Sequence, residues 1–354
     1  MHLSMLPLLL ITCVAAPLAA QSAWHAPAAQ ASTSAALTPS QRIDVVLALA
    51  ERLETTFYAP EIAKAYAAAL RAKLRSGGYD AIRDREALAK AVTADLQAVN
   101  KDGHLGLRAS SPGIAPNGQR REEVKAIAKS GWLTDGVAYL DFRIFNGEEA
   151  GLAELTRFIA DHASAKTLII DVRKHYGGGK EEMDVLFPAL FVRETALLQG
   201  DARAAVAERM PGALESSPTF FRLRAPEGVV RHEHRAVPPA GGGALSKARV
   251  YLLVSRDTVS AGEHLALALK RTGRATLIGQ TTRGAGNFGR PFKLPHDFSA
   301  FVPFGRTFDP ATGQGWEGTG VKPDVEVAAD QALDEALKRA GVTLSGAVAL
   351  AALR

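Results

Sequence analysis

A serine stands where a predicted strand passes into a predicted helix. Residues 250–254 are continuously apolar and predict a buried strand, and a helix is predicted from Ser260 to about residue 270. A serine at such a turn places its hydroxyl near the positive end of the helix, where backbone N–H groups can stabilise an oxyanion. Ser260 and Glu263 also match a capping box, in which the serine only caps the helix. This segment by itself favours the cap and leaves the nucleophile as the alternative.

A glycine-rich loop follows a second apolar strand, predicted over residues 167–172. The loop contains Gly177, Gly178 and Gly179, which allow the backbone to turn sharply and to direct free N–H groups into a cleft. Such a loop suits an oxyanion hole. An ordinary glycine turn before a helix is equally compatible with the pattern.

The histidines outside these loops give weaker signals. His104 lies in a glycine-containing turn, and His264 follows Ser260 by one helical turn, where a residue on the helix surface is the simpler interpretation. His232 and His234 have ligand-like spacing but no third ligand, so a solvated surface strand is favoured over a zinc site. Residues 284–289 fit the dinucleotide fingerprint, but Pro291 follows and no helix is predicted. We therefore expect neither a cofactor nor a metal.

Composition and charge limit the class of protein. The chain has 354 residues, of which 47% are hydrophobic and 22% charged, which excludes a fully disordered or collagen-like chain. The formal net charge is +5 and no long Lys/Arg run is present, so nucleic-acid binding is not indicated. At roughly 150 residues per domain the length suggests about two domains.

The N-terminus has the pattern of an export signal. Residues 5–20 are apolar and lack Asp, Glu, Lys and Arg, which predicts a signal peptide over residues 1–20 and a periplasmic or secreted protein. An uncleaved membrane anchor and lipid attachment through Cys13 are the alternatives. Cys13 is the only cysteine, so cleavage after Ala20 would exclude structural disulfides and cysteine chemistry from the mature chain.

The remaining pattern predicts a helical unit followed by an α/β core. After a flexible lead-in over residues 21–37, helical spacing of apolar residues predicts a helical subdomain over residues 38–109. A Pro- and Gly-containing stretch at 110–118 is interpreted as a linker, and residues 195–247 as irregular and polar. Alternating strands and helices predict an α/β core over residues 119–340, with a C-terminal tail at 341–354.

Four motifs, taken in order, resemble the C-terminal-processing (tail-specific) serine peptidases, in the branch without a PDZ domain that includes the interphotoreceptor retinoid-binding protein modules and the tricorn core. They are residues 102–105 (Asp-Gly-His-Leu), 171–178 (Asp-Val-Arg-Lys-His-Tyr-Gly-Gly), 255–263 (Ser-Arg-Asp-Thr-Val-Ser-Ala-Gly-Glu) and 315–327 (Gly-Trp-Glu-Gly-Thr-Gly-Val-Lys-Pro-Asp-Val-Glu-Val). Together they are far more specific than any one alone, and they reverse the preference for Ser260 as a cap.

The resemblance implies a Clp protease/crotonase-like ββα superhelix and a peptidase acting on polypeptides. The lysine of the PDZ-bearing branch is replaced by Ala285, so a Ser260–His104–Glu317 triad of the tricorn type is implied. It also implies an oxyanion hole from backbone N–H groups of Gly177, Gly178 and Ala261, although His175 replaces the usual Asn of that motif. The alternative function is a catalytically silent binding module for a hydrophobic ligand or a polypeptide tail.

Overall fold

The computed structural model describes residues 36–109, 124–209 and 216–354. The predicted signal peptide with Cys13, nearly all of the lead-in and the predicted linker at 110–118 lie outside the described residues. Among the residues described, no helix is both long and apolar enough to cross a bilayer.

The described chain alternates between helices and strands. The helices are α1 (Pro39–Thr56), α2 (Pro60–Arg75), α3 (Arg85–Val99), α4 (Glu149–Asp161), α5 (Glu181–Leu190), α6 (Ala204–Ala207), α7 (Ala261–Arg271), α8 (Ala332–Arg339) and α9 (Gly346–Ala351). The strands are β1 (Gly106–Arg108), β2 (Ile127–Thr134), β3 (Val137–Phe142), β4 (Thr167–Asp171), β5 (Thr195–Arg203), β6 (Phe220–Leu223), β7 (Val229–Ala236), β8 (Arg249–Val254), β9 (Ala275–Gly279), β10 (Asn287–Leu294), β11 (Phe298–Phe308) and β12 (Val325–Glu326).

Local side-chain caps determine where two of the N-terminal helices begin. The Thr38 hydroxyl accepts the Gln41 N–H and the Gln41 side chain accepts the Thr38 N–H, which forms a capping box at the start of α1. Asp84 caps α3 by accepting the Ala87 N–H at 2.7 Å. These contacts confirm the helix starts predicted from the sequence.

A largely parallel sheet, the core sheet, has the strand order β12-β9-β8-β4-β3-β2. Only the β2–β3 pair in it is antiparallel. Alternate residues of its central strands are buried on opposite faces. Leu140, Ile170 and Leu252 pack with residues of α4, α5 and α7, whereas Tyr139, Ile169 and Tyr251 pack with residues of α8 and α9. Both faces are therefore covered, as continuous apolar strands predict.

A second, antiparallel sheet carries the helical unit. Its order is β1-β11-β5-β7-β6, with β10 also paired to β11. Buried residues of α1, α2 and α3 form one apolar cluster with β11 residues such as Phe298 and Val302. The prediction that residues 195–247 are irregular is wrong, because β5, β6 and β7 lie there. These strands pair with one another and, through β5, with β11, and their many polar residues give no continuous apolar pattern in the sequence.

The core sheet brings the two candidate loops together. β4 and β8 are parallel neighbours, with Asp171 paired to Leu253 near their carboxyl ends. The glycine-rich loop follows β4, and residues 255–260, the serine turn, follow β8. Both therefore lie at the same edge of the sheet, where ligands bind in open α/β sheets.

Candidate active site

Ser260 occupies a strained backbone position immediately before α7. Its φ is +57°, in the left-handed region that side chains other than glycine rarely adopt. The main-chain carbonyl of Ser260 accepts the N–H groups of Glu263 and His264, at 2.8 and 2.9 Å. The serine therefore stands at the first turn of the helix, in a conformation that must be maintained by contacts around it.

The serine turn is attached to the glycine-rich loop by hydrogen bonds. The Thr258 hydroxyl donates to the carbonyl of Val172 at 2.8 Å, and the Ser255 hydroxyl donates to the carbonyl of Arg173 at 2.6 Å. The Val259 N–H donates to the carbonyl of His175 at 3.3 Å. These bonds fix the position of Ser260 relative to the loop that follows β4.

Glu263 maintains the serine turn from the other side. The side chain is fully buried, and its carboxylate accepts the backbone N–H of Ser260 at 2.8 Å. It also accepts the N–H groups of Gly284 and Ala285 and the hydroxyl of Thr282, at 2.6 to 2.9 Å. The bond from the Ser260 N–H to Glu263 belongs to the predicted capping box, and the same carboxylate joins the serine turn to the loop that leads into β10.

A backbone bridge to Phe145 orients the glycine-rich loop. Gly177 O and Gly179 N form a parallel bridge with Phe145, so the N–H of Gly178 between them points away from that residue. The Gly177 N–H is donated to Nδ1 of His175 at 3.1 Å, and a Cβ on Gly177 would lie 3.0 Å from the Cβ of Ser260. The absence of a side chain at Gly177 therefore allows the glycine-rich loop to lie close to Ser260. The φ of +90° at Gly177 also requires glycine.

His175 is compatible with the loop, although it replaces the family's usual Asn. The ring is fully buried and burial lowers its pKa to about 3, so it is neutral and can accept at Nδ1. The bond to Gly177 helps to hold the loop in its turn.

His104 lies beside two carboxylates. A ring nitrogen of His104 and a carboxylate oxygen of each of Asp102 and Glu317 lie within 4.8 Å of one another. The His104 ring also stacks on Phe301, with ring centroids 4.9 Å apart. Of the three predicted triad residues, His104 and Glu317 are therefore close neighbours.

The two carboxylates accept backbone N–H groups. Glu317 accepts Gly103 at 2.5 Å through one oxygen, and Gly286 and Asn287 at 2.7 and 2.8 Å through the other. Asp102 accepts the N–H groups of His104 and Leu105 and the side-chain amide of Asn287. These donors occupy the carboxylate oxygens, which favours a role in positioning the His104 turn over metal ligation.

The environment of Glu317 alters its acidity. Burial and the nearby Asp102 carboxylate raise the pKa of Glu317 to about 7, although the three N–H donors act in the opposite direction. Glu317 therefore changes charge near neutral pH.

Ser260 and His104 border the same pocket, which has a volume of about 240 Å³. Gly178, Ala261 and Gly286 line it as well. The remaining lining is mostly apolar and includes Met183, Leu198, Phe220, Phe288 and Trp316. The described chain thus brings the predicted serine, histidine and oxyanion-loop residues to one pocket, with Glu317 bonded to its rim at Gly286.

Two expectations about histidines are wrong. His232, Glu233 and His234 do lie on a strand, but their exposed fractions are only 1, 8 and 1%, so this is not a solvated surface strand. His264 borders the pocket and contacts His234, so it is not a surface residue of the helix. Both differences come from contacts between elements that are distant in the chain: β7 pairs with β5 and β6 and packs against α5, and His264 of α7 contacts His234 of β7. The local sequence gives no signal of these contacts. Ala285 lies in the wall of the pocket.

Solved structures share this fold at low sequence identity. One is a photosystem II D1 C-terminal processing protease, with 14% identity, a TM-score of 0.50, and 83% of this chain and 94% of that chain covered. Another is a lipoprotein from Streptococcus agalactiae, with 14% identity, a TM-score of 0.52 and coverages of 86% and 97%. The tricorn protease matches 89% of this chain but 36% of its own, with 12% identity and a TM-score of 0.53. The fold is that of the Clp protease/crotonase-like group, as the motifs implied.

Family models match both parts of the chain. The N-terminal domain model of this peptidase family in eukaryotic interphotoreceptor retinoid-binding protein matches residues 29–134, and the peptidase family S41 model matches residues 136–327. The second match covers more than half of the chain and contains Ser260, the glycine-rich loop and Glu317. The chain belongs to peptidase family S41 and is a serine-type peptidase.

Proposed function

We propose that the chain hydrolyses peptide bonds with Ser260 as nucleophile, His104 as general base and Glu317 as the acceptor that orients His104. The observation that carries this assignment is the shared pocket of Ser260 and His104, with the Glu317 carboxylate within 4.8 Å of the His104 ring. In this arrangement His104 removes the hydroxyl proton as Ser260 attacks the carbonyl carbon, and it later protonates the leaving amine.

The oxyanion that forms is stabilised by backbone N–H groups of Gly178 and Ala261. Gly178 points away from its bridge to Phe145, and Ala261 is the first residue of α7, where an N–H has no partner within the helix. The positive end of α7 adds to the stabilisation. Gly177 was a candidate as well, but its N–H is donated to His175, so we assign it the close packing against Ser260 instead.

Hydrogen bonding distinguishes Ser260 from the neighbouring hydroxyl groups. Ser255 and Thr258 lie in the same turn, but each donates its hydroxyl proton to a main-chain carbonyl, of Arg173 and Val172 respectively. A hydroxyl in such a bond is poorly placed to attack a substrate.

We further propose that the protein is exported, with residues 1–20 as signal peptide. The uncharged apolar run at residues 5–20 supports this assignment. A polypeptide is the substrate class that the family implies.

The proposed nucleophile can be tested by covalent labelling. We expect a fluorophosphonate probe to modify the intact protein at Ser260 and to leave Ser255 and Thr258 unmodified, which peptide mapping by mass spectrometry would establish. A denatured sample is the control for reactivity that needs the folded site. Absence of labelling at Ser260 in folded protein that retains its thermal transition would contradict the assignment and favour a silent binding module.

The pH dependence of activity should reflect the carboxyl group of Glu317. Because burial raises its pKa to about 7, Glu317 is neutral below that pH and cannot stabilise the imidazolium of His104. We therefore expect kcat/KM to increase with pH and to level off above 7, falling about tenfold per pH unit on the acidic side.

The matched control for this profile is Glu317→Gln, which retains the size of the side chain and removes the titration. We expect lower activity and no acidic limb centred near 7 in that variant. An unchanged limb in Glu317→Gln would show that another group, such as His104 itself, determines the profile.

A further inference from the structure

A chain of three hydrogen-bonded side chains runs from the pocket wall into the protein. Nε2 of His264 on α7 lies 3.0 Å from Nδ1 of His234 on β7. Nε2 of His234 lies 3.0 Å from an oxygen of Asp184 on α5. Neither Asp184 nor His234 has a part in the mechanism proposed above. His264 and His234 both border the pocket, and Asp184 lies behind them.

The Asp184 end of the chain is a carboxylate. Burial raises the pKa of Asp184, but hydrogen bonds from His234, Lys180 and Thr219 outweigh it and hold the pKa at about 2. Lys180 donates at 2.6 Å and the Thr219 hydroxyl at 2.7 Å. An ionised Asp184 can only accept, so Nε2 of His234 carries a proton.

This proton determines the tautomers of both histidines. When each ring carries a single proton, Nδ1 of His234 must accept, and His264 donates to it from Nε2. Nδ1 of His264 is then an acceptor. Burial lowers the pKa of His264 well below its ordinary value, which is consistent with a neutral ring.

The pocket around His264 is lined mainly by apolar side chains. Phe220, Met183 and Trp316 border it, and the His264 ring stands edge-on to Trp316 with centroids 6.3 Å apart. Two other polar side chains at the pocket are held by partners outside it. The amide of Gln199 donates to Glu233, and Lys180 donates to Asp184.

Such a site is complementary to a flat apolar group that ends in a hydrogen-bond donor. Resting on the peptidase function proposed above, we propose that the pocket receives the side chain of the residue before the scissile bond, P1, and that His264 selects tyrosine there by accepting its phenolic proton. His234 and Asp184 are positioning residues. Both ring nitrogens of His234 are engaged, by His264 and by Asp184, so His234 fixes the tautomer of His264 and has no nitrogen left to bind the phenol. An apolar ring without a donor fills the pocket but leaves the acceptor without a partner.

The test compares peptides that are identical except at P1, with tyrosine, O-methyltyrosine, phenylalanine or leucine. For the wild-type protein we expect kcat/KM to be about tenfold higher for tyrosine than for phenylalanine, the value of one neutral hydrogen bond. O-Methyltyrosine should not exceed phenylalanine, because it retains the ring and the oxygen but cannot donate.

Variants then assign the preference to the chain of histidines. His264→Phe and His234→Phe should each bring the tyrosine-to-phenylalanine ratio close to one, since the first removes the acceptor and the second removes the group that fixes its tautomer. His232→Phe is the matched control. His232 is equally buried on the same strand and stacks on Phe220, but it is not part of the hydrogen-bonded chain, so the ratio should remain at its wild-type value.

A tyrosine-to-phenylalanine ratio of kcat/KM near one in the wild-type protein would overturn the proposal. An equal loss of kcat/KM for all four peptides in His264→Phe would also overturn it, because that result indicates that His264 has a purely structural or basic role. The dissociation constants of the same peptides with Ser260→Ala separate selection from catalysis. Tyrosine preference in binding without any cleavage by the wild type would refute the peptidase and retain the selectivity. Cleavage of all four peptides without any preference for tyrosine would support the peptidase and refute the selectivity.

Discussion

Replacement of Ser260 by alanine should reduce peptidase kcat/KM by about a millionfold, to the rate left by binding and the oxyanion donors alone. The physical reason is that no other hydroxyl in the serine turn is available, since those of Ser255 and Thr258 are donated to main-chain carbonyls. The free energy of unfolding should fall by no more than about 1 kcal/mol, the cost of a lost helix cap, because Glu263 continues to accept the N–H of residue 260.

Two further variants separate function from stability at this turn. Ser260→Gly should be equally inactive but more stable than Ser260→Ala by about 1 kcal/mol, because glycine adopts the φ of +57° without strain. Ser255→Ala should behave in the opposite way, with lower stability and most of its activity. Thermal unfolding and kcat/KM measured on the same samples test both. Activity of Ser260→Ala above a hundredth of the wild type would refute the nucleophile.

His104→Asn should be nearly as inactive as Ser260→Ala, and the double variant should be no worse than either single variant. The two side chains act as one unit in the proposed mechanism, and members of such a unit are strongly non-additive. Asn is close in size to the imidazole and can hydrogen-bond to Glu317, but it cannot take up a proton at neutral pH. Steady-state kinetics of the three variants measure the effect.

His296→Asn is the matched control for this substitution. His296 is hydrogen-bonded to Asp44 at 3.0 Å, is not among the residues that line the pocket, and has a φ of +58° that asparagine tolerates. We expect wild-type activity in this variant. If His104→Asn retained more than a tenth of the activity, or if the losses in the double variant simply multiplied, the base would have to be another group.

Interactions between residues a few positions apart can be recognised in the amino-acid sequence, and they determined several of the helix starts and strands of this protein. The caps at Thr38 and Asp84 join residues three positions apart, so the starts of α1 and α3 can be predicted from the pattern alone. The same holds for the apolar strands β4 and β8, and for a serine and a glycine-rich loop at their carboxyl ends. The ordered motifs then indicated the family and its fold, which the family models confirmed.

The tertiary structure decided what depends on distant partners. Gly103 and Glu317 are separated by 214 positions, and His234 and Asp184 by 50, so no local pattern reports either contact. β5, β6 and β7 are polar in sequence and become strands because other elements pair with them and cover them, which also buries His232 and His234. Residue type and local spacing determined which groups can do chemistry. Packing between segments far apart in the chain decided which of those groups meet. It also decided their protonation, because the burial and the hydrogen bonds that set it come from residues that are neighbours only in the folded protein.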